Sequence, residues 1–130
     1  MEHSSLVAFL NGDLSPEAFC SEIAAEVDAC EQEFKSEGVG YVVVTDGPAE
    51  VVTRDQVWRL LQALLDGRLP FLSANYAADC LVMSDAFEFA DKAVAEAIAF
   101  VADGSRPPTP KETEAALAAL DYAQTPHPRT

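Results

Sequence analysis

Basic residues are scarce in this chain. Lysine and arginine number 8 against 22 aspartates and glutamates, giving a net charge of −14 over 130 residues. A surface this acidic excludes a protein that grips nucleic acid through its phosphates, and it excludes docking on anionic lipid headgroups. No apolar run approaches the roughly 20 residues of a membrane-spanning helix. The opening Met-Glu-His-Ser-Ser has no basic n-region, and Leu6 to Leu10 is too short for a signal h-region, so a cytoplasmic protein is expected. There are three cysteines, an odd number. Cys20 and Cys30, about 15 Å apart along one helix, are too distant to bridge, so free thiols are expected.

Histidine is rarer still. His3 and His127 lie near opposite ends of the chain, where mobile segments are expected, and no Cys or His pair has zinc-ligand spacing. No twelve-residue loop carries the alternating oxygen ligands of a calcium site, and no glycine-rich turn cradles a phosphate ahead of a helix. Neither a metal nor any other cofactor is expected. Without an ordered histidine nearby, none of the cysteines has a base to activate it.

The chain does hold apolar residues in helical order. The length suits one domain, expected over residues 1–122 with a flexible tail over 123–130. The spacing predicts a mainly α fold: a bundle of five to six helices, with a small β-hairpin at about 41–52. Leu6, Val7, Phe9 and Leu10 form a first short helix that stops at Asn11-Gly12. Ser15-Pro16-Glu17 opens a second helix with a capping serine, a proline at the first helical position and a glutamate against the dipole. Phe19, Ile23, Val27, Cys30 and Phe34 then make its inward stripe.

Tyr41-Val-Val-Val-Thr45 changes to β-branched residues ahead of the turn Asp46-Gly47-Pro48, and Glu50-Val51-Val52 can pair back. An extended connector is the competing reading. Thr53 with Gln56 begins a third, central helix with a capping box. A fourth helix spans Pro70 to Met83 with Leu72, Tyr76, Cys80 and Met83 in line. A fifth runs from about Asp91 to Ala102 with Val94, Ala97, Ile98 and Val101 inward, and a sixth begins at Thr109-Pro110-Lys111-Glu112.

Charge distribution supplies the candidate site. Residues 1–37 carry nine acids against Lys35 alone. On the second helix Glu22, Glu26 and Glu33 fall within about 40° of one another, a negative ridge beside the apolar stripe. Such a ridge is either a solubilising face or a contact surface. A second acidic patch is expected at Asp85, Glu88 and Asp91, with Phe87 and Phe89 as core plugs between them. Asp79 is the single charged side chain between Phe71 and Ser84. It needs either an arginine partner (Arg54, Arg59 or Arg68) or a role in recognition.

The segments Leu6-Val-Ala-Phe-Leu10, Asn11-Gly-Asp-Leu-Ser15 and Pro16-Glu-Ala-Phe-Cys-Ser-Glu-Ile23 resemble the short-helix, turn, long-helix start of small bacterial immunity proteins, particularly the helical colicin-D type. Tyr76-Ala-Ala-Asp79-Cys-Leu-Val-Met-Ser-Asp85-Ala-Phe-Glu-Phe-Ala-Asp91 is similar to a segment of small cytoplasmic immunity-like proteins of polymorphic toxin systems. Together these cover 34 of the 130 residues. The stretch from Tyr41 to Val52 departs from that all-helical pattern. The resemblance implies a stoichiometric inhibitor that offers acids to the basic cleft of a toxin. The expected partner is therefore a protein, engaged by Glu22, Glu26, Glu33, Asp85, Glu88 and Asp91. Two other readings stand beside it: a helical adaptor dimerising through the Trp58 or Phe100 face, and a small enzyme with Asp79 and Cys80 in a pocket.

Overall fold

The computed structural model describes residues 1–124 and is mainly helical, as the spacing predicts. Helix α1 (His3–Leu10) is capped at Asn11, and Gly12, with φ +82°, lets the chain turn sharply toward α2. Helix α2 (Pro16–Glu37) starts as expected: Ser15 Oγ accepts from the Ala18 amide at 3.1 Å, and Pro16 occupies the first position. Gly38, with φ +80°, closes it. Phe9 and Phe19 stack with ring centroids 4.4 Å apart, which joins the first two helices.

Helix α3 (Arg54–Leu65) has the predicted capping box in both directions. The Thr53 amide donates to Gln56 Oε1 at 2.9 Å, and the Gln56 amide donates to Thr53 Oγ1 at 3.3 Å. Its Val57, Leu60 and Leu61 are fully buried, and it packs on α1 and on three later helices: α4 (Phe71–Met83), α5 (Lys92–Ala102) and α6 (Pro110–Gln124). The central position expected of it is therefore observed. Helix α6 is opened by a reciprocal Thr109–Glu112 capping box. It runs to Gln124, so Ala123 and Gln124 of the expected tail are helical, and residues 125–130 lie outside the described residues. No helix among the described residues is long and apolar enough to cross a membrane.

The β element differs from the expected hairpin. Residues 38–49 form an extended connector with no ladder of their own. Strand β1 (Glu50–Val52) pairs instead in parallel with β2 (Phe87–Phe89), in the register Glu50↔Phe87 and Val52↔Phe89. Parallel strands need a crossover, which α3 and α4 supply. The connector is held by the start of the chain rather than by a returning strand. The Met1 ammonium donates to the Val43 carbonyl (2.9 Å), the Thr45 amide to the Met1 carbonyl (2.9 Å), and the His3 amide to Thr45 Oγ1 (2.9 Å).

His3 is consequently buried, not mobile, and stacks on Phe87 at 5.0 Å with its Nε2 unpartnered. Two expected stripes also leave the core at their ends. Phe34 on α2 is 62% exposed, and Leu72 and Met83 on α4 are exposed as well. The remaining core residues of α5, Val94, Ala97, Ile98 and Val101, are all buried as expected.

Candidate functional site

The predicted acidic ridge on α2 is divided by its surroundings. Glu22 is exposed and accepts a hydrogen bond from Ser5 Oγ. Glu26 turns inward: its Oε2 lies 2.6 Å from the Met1 ammonium, and its other oxygen is buried without a partner. That glutamate neutralises a buried cation. Glu33 is half-buried, and its carboxylate makes no hydrogen bond or ion pair among the described residues.

The second predicted patch divides in the same way. Asp91 caps α5, accepting from the Val94 amide at 3.0 Å, and pairs with Arg54 Nε at 2.8 Å. Those contacts hold its carboxyl below the usual aspartate range. Asp85 and Glu88 are exposed, while Phe87 is buried and Phe89 half-buried between them. Of the six predicted contact residues, Glu26 and Asp91 are thus committed inside the molecule.

Asp79 has none of the three arginines expected of it. Arg54 pairs with Asp91, and Arg59 donates to the Leu10 carbonyl. Arg68 is bidentate to Glu17 at 2.8 and 2.9 Å. Asp79 is half-buried with no hydrogen bond or ion pair among the described residues, and desolvation pushes its pKa up.

It lines a cleft of about 580 Å³ formed by the end of α2, the connector and α4, with Phe34, Val39, Leu72 and Tyr76 among its walls. A second cleft, lined by Val42, Val44, Asp46, Met83 and Asp85, continues along the same side. Val42 borders both, and Asp79 and Met83 are one turn apart on α4. Among the described residues no lysine, arginine or histidine lines either cleft; the charged residues there are Glu31, Asp46, Asp79 and Asp85.

Exposed apolar side chains line both clefts: Phe34, Val39 and Leu72 the first, Met83 the second. Tyr41, Val43 and Val82 are exposed on the same elements. The outward members of the connector, Tyr41 and Val43, alternate with half-buried Val42 and Val44, as an extended segment requires. This apolar face was not anticipated. Its signal was the alternating β-branched run at 41–45, read instead as one arm of a hairpin.

The thiols are all free. Cys80 faces the core, where burial pushes its pKa up to about 12, whereas Asp79 beside it in sequence lines the cleft. Cys30 is raised by desolvation and by the nearby charges of Glu33 and Asp79. Among the described residues no three His, Cys, Asp or Glu side chains converge on a point that would hold a metal. A third cleft beside α3 mixes Asp13 and Asp66 with Arg59 and Arg68, and both of those arginines are already bonded as described. No protein family, curated protein or solved structure matches this chain.

Proposed function

We propose that this chain is a stoichiometric immunity protein of the bacterial cytoplasm, which binds a basic toxin domain and blocks it. The observation that carries this reading is the composite face on α2, the connector and α4: exposed apolar side chains around clefts whose charged residues are all acids. Apolar contact with excluded water supplies affinity at such a face. Charge complementarity selects a basic partner and speeds encounter, from about 10⁵–10⁶ M⁻¹s⁻¹ without steering to as much as about 10⁸–10⁹ M⁻¹s⁻¹ with it at low salt. The net charge of −14 supports the same polarity of partner.

Of the six expected contact residues, Glu22, Glu33, Asp85 and Glu88 are outside the internal ion pairs and can meet such a partner. The test is co-expression with the toxin domain encoded beside its gene, scored by growth and by a one-to-one complex in solution. Reversing Glu22, Glu33 and Glu88 to lysine should slow association and flatten its salt dependence. Absence of both protection and complex overturns the proposal.

A helical adaptor acting as a homodimer is the second reading. Its support is the alanine-rich groove between α5 and α6, where half-buried Phe100 lies beside Ala97, Ala116 and Ala119. A mass that doubles with concentration in light scattering would favour it, and a strict monomer would reject it.

A further inference from the structure

We propose that the cleft between α2, the connector and α4 is the socket for one arginine side chain of the protein partner, with Asp79 as its counter-ion. This inference rests on the protein-binding reading above and names the chemistry that the cleft accepts.

Two of the polar side chains that line the cleft, Asp79 and Asn75, hold acceptor oxygens in need of donors. Asp79 is a half-withdrawn carboxylate without a partner. One turn earlier on α4, Asn75 spends its amide nitrogen on the carbonyls of Val101 (3.0 Å) and Ala102 (3.1 Å). Its side-chain oxygen is left as a second acceptor, unbonded among the described residues. Glu31, which lines the same cleft, has a cation of its own in Lys35 at 3.4 Å. A carboxylate and an amide oxygen one helical turn apart suit a planar donor with several N–H groups, and a guanidinium is that donor.

The walls are right for the rest of the side chain. Arginine buries its methylene stem along apolar surface while its head finds a charge. Phe34 and Leu72 offer such surface and are exposed without anything to cover them. An unpaired carboxylate beside apolar walls is unfavourable in the free protein. Pairing it on association removes that cost, which makes Asp79 an anchor in addition to a steering charge.

Socket and steering are separable by rate. Asp79→Asn should leave the association rate of the toxin complex within about twofold and raise its dissociation rate at least tenfold. Reversal of Glu22, Glu33 and Glu88 acts on association instead. The direct probe is the peptide acetyl-Leu-Arg-Leu-amide, titrated into the labelled protein and followed by NMR. The expected shifts fall on Phe34, Leu72, Asn75 and Asp79. They should weaken at least tenfold with Asp79→Asn, and equally when citrulline replaces the arginine.

Binding unchanged by Asp79→Asn, shifts confined to the outer side of α2, or free guanidinium binding as tightly as the peptide would each overturn the socket. A toxin complex formed normally by Asp79→Asn overturns the socket and leaves the immunity reading intact. Peptide binding at Asp79 without any toxin complex does the reverse. The native spectrum of the Asn variant serves as the folding control.

Discussion

Replacing Asp79 by asparagine should make the protein more stable. The substitution keeps the size of the side chain and removes a charge that nothing among the described residues pairs. A fully buried polar group without a partner costs about 1–3 kcal/mol, and more when ionised. Asp79 is only half withdrawn, and the water it retains screens it, which reduces the expected gain to about 1 kcal/mol. In a chain of 130 residues that corresponds to about 3–5 °C in melting temperature.

The pH dependence provides the sharper test. Desolvation raises the folded-state pKa of Asp79 above its unfolded value, so the fold prefers the protonated acid. The penalty is absent below the unfolded pKa, sets in as pH rises through the aspartate range, and is complete above the raised folded value. Thermal unfolding of both proteins between acid and neutral pH should therefore show a gap that is widest at neutrality and closes on acidification. An asparagine variant that melts lower at pH 7 would refute the reasoning, because it would mean the carboxylate has a stabilising partner.

Other perturbations probe the frame that holds the face. Phe19→Ala removes a buried ring stacked on Phe9 and should cost about 3–5 kcal/mol in urea unfolding; a loss under about 1 kcal/mol would contradict the packing. At Gly47 an added methyl would land on the His3 ring, so Gly47→Ala should cost about 1–3 kcal/mol and be partly rescued by His3→Ala in the double variant. Glu112 is held at a pKa of about 2 by hydrogen bonds from Arg106 and Thr109. Its stabilising contribution should persist above the ordinary glutamate range and fade as pH falls toward about 2, read by carboxyl NMR titration. Cys80, pushed up to about 12, should resist thiol reagents at pH 8 until the protein unfolds.

Local chemistry in the sequence was decisive wherever both partners lie within one helical turn. Ser15 with Pro16, Thr53 with Gln56 and Thr109 with Glu112 each form the start they encode. Periodicity succeeded for α5, which is covered along its length, and failed at the end of α2. There Phe34 shares the wall of an open cleft with Leu72 and Tyr76 of α4, so the stripe faces solvent and not a packed neighbour.

Helical angles place Glu22, Glu26 and Glu33 on one side of α2. They carry no information on the Met1 ammonium that claims Glu26, because that cation arrives from another part of the chain. The Arg54–Asp91 pair and the parallel strands were hidden for the same reason. So was the isolation of Asp79, which depends on where three arginines go in space.

The β1–β2 clasp also implies an order of events. Its hydrogen bonds, including those from the Glu50 amide to the Ala86 carbonyl and from the Ala90 amide to the Val52 carbonyl, span the whole of α3 and α4. Three-residue strands cannot offset so long a loop closure by themselves. The clasp therefore closes only after those two helices have docked, as a late fastening rather than a nucleus.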